Sequence, residues 1–301
     1  MPAHHTQTPA LLLLLCLAMA DPAFSQPAAL YPASLSQLHR QVESFLLKEY
    51  EDPPQLAETL NQLDEKGAWP GIDYGSKARS GWPQLNHLHF TLPMAKAYRS
   101  PHSAYYQDEQ LAAQVLRALD YWLANDFESD NWWYNQIGVP QQLGPLLILM
   151  EDKLTSEQLT QGIRILDKSE IRMTGQNKVW LSGNVLLKAL LLRDSLTVDR
   201  AAAAIREELI VSEGEGVQPD GSFHQHGPQL QFGNYGLSYI GSMIQWITIL
   251  RGTPFRFDEA KLEILRNYLL DGQQWVNWYD RYEISSCGRQ LSPGSPESKS
   301  R

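Results

Sequence analysis

Residues 35–50 read LSQLHRQVESFLLKEY. Leu38, Val42, Phe45, Leu46 and Tyr50 fall at steps of three, four and one, which puts them on one stripe of an amphipathic helix. Pro53-Pro54 ends the run, because proline lacks the amide donor a continuing helix needs. The same reading recurs over 84–98, 105–125, 141–150, 156–168, 177–193, 199–211, 234–250 and 259–278. Between these runs lie Gly, Pro, Asn and Asp, as in 67–70, 126–130 and 214–221. No alternating run is long enough for a sheet. The pattern predicts an all-α chain of about ten antiparallel helices, built as a bundle, a solenoid or an α/α toroid. No fixed-period repeat is visible, which argues against a regular solenoid.

The chain has 301 residues, 43% of them hydrophobic and 20% charged. That balance can bury a sizeable core and excludes wholesale disorder and collagen-like structure. The net charge is −9. Residues 1–25 hold one acid, Asp21, and no Lys or Arg, so the remainder carries −8. An acidic protein lacks the basic footprint of a general nucleic-acid binder. Any polyanion it takes must meet a local basic site.

Residues 10–20 read ALLLLLCLAMA. The run is too short to span a bilayer and fits the apolar segment of a secretory signal, with cleavage after Ser25. The expected product is secreted or periplasmic, free of the membrane after cleavage. Cys16 raises a lipoprotein alternative, but Leu15 stands where a small residue is needed. The only other cysteine is Cys287, so the mature chain has no intrachain disulfide and no zinc site of cysteine type.

The long connections are rich in aromatic and amide side chains. Trp69, Trp82, Trp132, Trp133 and Trp180 lie near helix ends. Any one of them could plug the core. Trp132-Trp133, flanked by Asn131 and Asn135, reads instead as a platform for sugar rings, because neighbouring residues rarely both point inward. Three polar segments follow: 174–178 (TGQNK), 220–229 (DGSFHQHGPQ) running on to 233–236 (GNYG), and 287–290 (CGRQ). Each has a plainer reading: Asn177 as a helix cap, His224 with His226 as a metal pair lacking a third ligand, Tyr235 as a helix-face aromatic, Arg289 as a surface charge.

Taken together, residues 69–74 (WPGIDY), 131–140 (NWWYNQIGVP), 174–178, 220–229 and 234–236 resemble the N-terminal α-domain of family-eight polysaccharide lyases, the group of chondroitin AC, hyaluronate and xanthan lyases. The resemblance covers roughly residues 30–293. It implies an incomplete α/α toroid over 26–292, with 293–301 a polar tail. It also implies glycosaminoglycan degradation by β-elimination at a uronic acid, without cofactor or metal, by a monomer whose partner is an acidic polysaccharide.

The chemistry explains the residue types. The C5 proton is weakly acidic because its removal builds a dianionic enolate. A donor must neutralise the carboxylate, a base must take the proton, and an acid must protonate the departing oxygen. By the resemblance Asn177 is the donor, Tyr235 and His226 handle the protons, and Arg289 is the cation that lowers the phenol's pKa. Asn131, Trp132, Trp133 and Gln229 are the substrate-binding residues. Two other readings are kept. A glycoside hydrolase would need paired carboxyl groups, with Asp130, Asp220 and Glu283 as candidates. A non-catalytic carbohydrate-binding module would need the tryptophans and not Tyr235. Members of the group usually continue past the Gly-Arg motif into β-sandwich domains that supply a Glu, and they carry a second Arg. Here Gly288-Arg289 runs into a Pro/Ser-rich tail, so weak turnover with surviving binding is the expectation for this chain alone.

Overall fold

The computed structural model describes residues 31–279, 281–289, 294 and 299. The expected signal segment, 1–25, lies outside the described residues, as does the tail 293–301 apart from Gly294 and Lys299. Among the described residues no helix is long and apolar enough to cross a membrane. The fold is all-α. Its helices are α1 Tyr31–Leu47, α2 Leu56–Gln62, α3 Leu85–Arg99, α4 Glu109–Asn125, α5 Val139–Met150, α6 Ser156–Leu166, α7 Gly175–Leu191, α8 Ser195–Glu208, α9 Leu237–Leu250 and α10 Glu259–Asn267.

The helix starts follow local chemistry. Asp108, Asp194 and Asp258 each accept a hydrogen bond from the first turn of α4, α8 and α10, and Thr155 with Gln158 forms a capping box on α6. These caps explain why α4 begins at Glu109 and not at Tyr105. α2 is an element the sequence reading missed. Pro53-Pro54 stops one helix but is compatible with the opening of the next, and Leu56 N donates to Pro53 O at 2.8 Å. The run 259–278 is not one helix. After Asn267 it winds through a π turn, Tyr268–Gly272, and a 3₁₀ turn, Gln273–Val276, into a short ribbon. That ribbon, β3 Asn277–Trp278 with β4 Arg281–Tyr282, and another, β1 Gly216–Val217 with β2 Phe223–His224, are the described strands. Two residues each is too short to leave an alternating pattern.

The odd-numbered helices form the inner layer. α3 packs on α5, α5 on α7, α7 on α9, and α9 returns to α1. Their composition fits that place: α5 is buried at every residue except Gln141 and Gln142, and α7 is buried almost throughout. α4, α6 and α8 pack outside with one apolar face each. The arrangement is that of an α/α toroid.

Trp69 and Trp82 are core plugs, 2% and 3% exposed. Trp69 packs edge-on against His87, a fully buried imidazole. His87 Nε2 donates to Ala118 O at 2.8 Å, so Nδ1 is the acceptor for Tyr74 Oη at 2.9 Å. Both nitrogens are satisfied by the neutral ring, and burial drops its pKa to about 4. The unfolded chain therefore binds this proton below about 6.5 while the folded chain refuses it. Stability from this site is full above that pH and falls as pH drops toward 4, by roughly 3 kcal/mol. Denaturant midpoints measured from pH 7 to pH 4 should show the fall, and His87→Phe should flatten it.

Candidate active site

Two π turns place the key aromatics. Tyr134–Gly138 runs into α5, and Phe232–Gly236 runs into α9. An inserted π turn rotates the side chains before it relative to the helix after it, and such turns recur at functional sites. Here they bring Tyr134 and Tyr235 to the wall of one open cleft of about 490 Å³. Asn131, Trp132, Trp133, Trp180, His226, Asn234 and Arg289 complete the lining. The wall is a chain of ring contacts, with Trp133 against Trp180, Trp180 against Tyr235 (both 5.9 Å between centroids), and Tyr235 against the edge of His226 at 4.9 Å.

At the polar centre His226 Nε2 lies 3.0 Å from Tyr235 Oη. With Nε2 unprotonated, the imidazole accepts the phenol's hydrogen bond and is placed to take its proton. Arg289 stands beside the pair. Burial raises the Tyr235 pKa, Arg289 pulls it back down, and the Glu215 carboxylate pushes it up. Arg289 thus lowers the phenol's pKa as the sequence reading expected, but burial outweighs it, so the resting phenol is protonated.

Glu215 is the residue the sequence reading missed. It sits in the loop before β1. Its Oε1 accepts from the backbone N–H of His226 at 2.8 Å and of Gly227 at 3.4 Å, and its Oε2 from Thr174 Oγ1 at 2.7 Å and from the Gln225 amide. One carboxylate thus ties the His226 loop to the start of α7. His226 needs that hold, because its φ of +61° is the left-handed region that non-glycine residues rarely adopt. The other end of the tie is Thr174, and beside it Gly175, at φ +60°, lies where a Cβ would strike the Gln225 side chain. Only an acid in an ordinary-looking loop marks Glu215 in the sequence, and nothing local says that it faces 225–227.

Arg289 is held from behind. Cys287 is fully buried. Gly288, at φ +58°, lies so close to the Gln231 amide that a side chain there would collide with it. Trp132 is 41% exposed, whereas Trp133 is half-buried. Gly138 leaves room for the Trp133 ring, since a Cβ there would sit 2.8 Å from it. Asn131 lines the cleft but spends its side chain on the loop: Nδ2 donates to Arg79 O at 2.8 Å and Oδ1 accepts from Trp133 N at 3.1 Å.

Six of the eight residues expected at the site therefore meet at this cleft. Asn177 and Gln229 are not among its lining. Gln229 is exposed, and its side chain accepts from Gln231 at 3.3 Å. Asn177 is not a cap, because α7 begins two residues earlier. It is 6% exposed, and its Oδ1 is buried without a partner. One helical turn separates it from Trp180 on the cleft wall.

The carboxyl groups weighed for hydrolysis are used elsewhere. Asp220 accepts from Ser222 N at 2.9 Å and Glu283 from Ser285 N at 3.2 Å, both within turns. Asp130 is exposed and outside the lining. His224 lies 3.4 Å from Ser222 Oγ, while His226 reaches Tyr235, so the two histidines part company. Among the described residues no group of three His, Cys, Asp or Glu side chains is arranged to hold a metal ion.

The family model of the N-terminal alpha-helical domain of polysaccharide lyase family 8 matches residues 34–292. Chondroitinase-AC of Pedobacter heparinus is 33% identical over 219 residues, covering 70% of this chain and 31% of that protein. Xanthan lyase of Bacillus sp. strain GL1 is 27% identical over 210 residues, covering 66% of this chain and 23% of that protein. A solved structure of chondroitinase AC lyase, from work on enzyme–oligosaccharide complexes, superposes with a TM-score of 0.80 at 29% identity, over 86% of this chain and 40% of that one. The chain spans less than a third of the length of these curated relatives.

Proposed function

This chain belongs to polysaccharide lyase family 8, within its N-terminal α-helical domain, and from that premise we propose that it cleaves a uronic-acid polysaccharide by β-elimination in the cleft of His226 and Tyr235. The observation that carries the proposal is the 3.0 Å contact between His226 Nε2 and Tyr235 Oη, beside Arg289 and at the end of a tryptophan wall. The cleft suits an acidic sugar chain, because Arg289 offers charge and the rings offer stacking faces.

The protonated resting phenol sets the order of events. A substrate carboxylate entering beside Arg289 acidifies C5 as its own charge is neutralised. Tyr235 passes its proton to His226 and the phenolate takes the C5 proton. The carbanion then expels the C4 oxygen, which takes the proton from Tyr235. The C4–O bond breaks, a C4–C5 double bond forms, and no water is consumed. Asn177 is proposed as donor to the substrate carboxylate, and Gln229 as a contact outside the cleft proper. Chondroitin and hyaluronan are the proposed substrates. Export through the leader at residues 10–20 and action as a monomer belong to the same proposal.

Absorbance tests it. Elimination leaves a double bond conjugated with the carboxylate, which absorbs in the ultraviolet, and hydrolysis leaves none. Mixing the protein with chondroitin, hyaluronan and xanthan should yield the chromophore from the first two. New reducing ends without chromophore would indicate hydrolysis, and binding without either would indicate a module.

The two tryptophans should separate. Trp132→Ala removes an exposed ring and should weaken oligosaccharide binding by on the order of 1 kcal/mol without lowering the melting temperature. Trp133→Ala should do both, because it also empties the seat over Gly138. Calorimetric titration with a chondroitin hexasaccharide, alongside thermal melts, reads the difference.

A further inference from the structure

α7 carries Asn177, and it begins without a cap of its own. Thr174 is an ordinary capping residue, but its side chain makes no bond to the first turn and gives its hydroxyl proton to Glu215 instead. The first amides of α7 are met from other elements. Gln176 N donates to Gln225 Oε1 at 3.0 Å, and Gly175 N donates to Glu208 Oε1.

Glu208 is the last residue of α8, where a carboxylate opposes the negative end of its own helix dipole. The same carboxylate lies at the positive end of α7, where the sign is favourable. Its other oxygen, Oε2, pairs with Lys178 Nζ at 3.0 Å, and the two side chains are 10% and 22% exposed. Glu208 therefore grips α7 at residues 175 and 178, on either side of Asn177. Its backbone is held in turn. Glu208 O accepts from Tyr239 Oη at 2.9 Å, and the next carbonyl, Leu209 O, accepts from Lys261 Nζ at 2.9 Å. Tyr239 is fully buried and lies four residues after Tyr235, where the π turn has passed into α9. Glu208 is not part of the cleft lining, so it acts on the chemistry through the residues it holds.

We propose that Glu208 is a positioning residue that sets Asn177 on α7 against Tyr235 on α9. The inference rests on the lyase reading, in which both residues work on one sugar. The carboxylate carbon of a uronate is bonded to C5. The group that meets the carboxylate and the base that takes the C5 proton therefore need a fixed separation. They stand on two different helices, and Glu208 joins those helices through its side chain on one side and its backbone carbonyl on the other.

Kinetics and amide exchange on the full chain test it together. With chondroitin, Glu208→Ala should lower kcat roughly tenfold and leave KM within about twofold, since the Gln225 bond to Gln176 still holds part of the turn. Glu208→Gln keeps an acceptor for Gly175 N–H and should recover most of the rate, and it serves as the test if the Ala variant does not fold. In an Asn177→Ala background either substitution should cost less than about twofold, because the group it positions is gone. Equal losses in the two backgrounds, a loss carried by KM, or no recovery in Glu208→Gln would each overturn the proposal. Hydrogen exchange read by mass spectrometry needs no turnover. Tyr239→Phe, which frees only the backbone of Glu208, should speed exchange over residues 175–180 as well as over 232–236, while Glu207→Ala, at the exposed neighbour, should change neither. A Tyr239→Phe variant with unchanged exchange over 175–180 would show that Glu208 does not join the two helices. If the wild type makes no chromophore from chondroitin or hyaluronan, the lyase reading fails, and the exchange result alone decides the tie.

Discussion

Tyr235→Phe is expected to remove turnover while leaving oligosaccharide affinity within about twofold. The variant loses one hydroxyl and keeps the ring that packs on Trp180 at 5.9 Å, so the stacking wall is intact. The hydroxyl lies 3.0 Å from His226 Nε2, and under the elimination mechanism it handles both protons. Removing a positioned acid or base typically lowers the rate by about 10²–10⁴-fold. A group that serves as both belongs at the upper end. Chromophore formation at high protein concentration gives the rate, and calorimetry with the same oligosaccharide gives the affinity. A variant that turns over like the wild type would show that the phenol is only part of the wall.

Glu215→Ala should come next in size, although it lies outside the cleft lining. Its carboxylate holds the backbone of His226 and Gly227 and the hydroxyl of Thr174. Without it, His226 has little to keep it at φ +61°, and the imidazole leaves the phenol. Loss of catalytic positioning costs about 10²-fold in rate for a displacement near 1 Å. The loss should fall on kcat more than on KM, because the tryptophan wall is untouched. Glu215→Gln separates geometry from charge. It keeps an acceptor for the backbone amides but removes the negative charge that pushes the Tyr235 pKa up. Its pH–rate profile should therefore shift its alkaline limb to lower pH, while a purely structural role would leave the limb in place.

The division between what the sequence discloses and what it hides follows contact distance along the chain. Helical stripes and punctuation are local, so nine of the ten helices among the described residues were legible, and α2 was hidden because Pro53-Pro54 looks the same whether it ends one helix or opens another. The motif residues Trp132, Trp133, His226, Tyr235 and Arg289 were legible as types suited to sugar chemistry, and their meeting in one cleft follows from the π turns before α5 and α9. Glu215 was not legible, because its partners are 174 and 225–227 and its own loop looks like an ordinary connector. The burial of Tyr235 was not legible for a related reason: the sequence reveals the cation at Arg289, which does lower the phenol's pKa, but not the desolvation that outweighs it.

The most direct test of the account is the mass of the products from a defined chondroitin or hyaluronan oligosaccharide. Elimination consumes no water, so the masses of the two fragments should sum to that of the substrate, with the new non-reducing fragment lighter by one water than its hydrolytic counterpart. That result, lost in Tyr235→Phe, is what the account predicts. Fragments that together exceed the substrate by the mass of one water would contradict it.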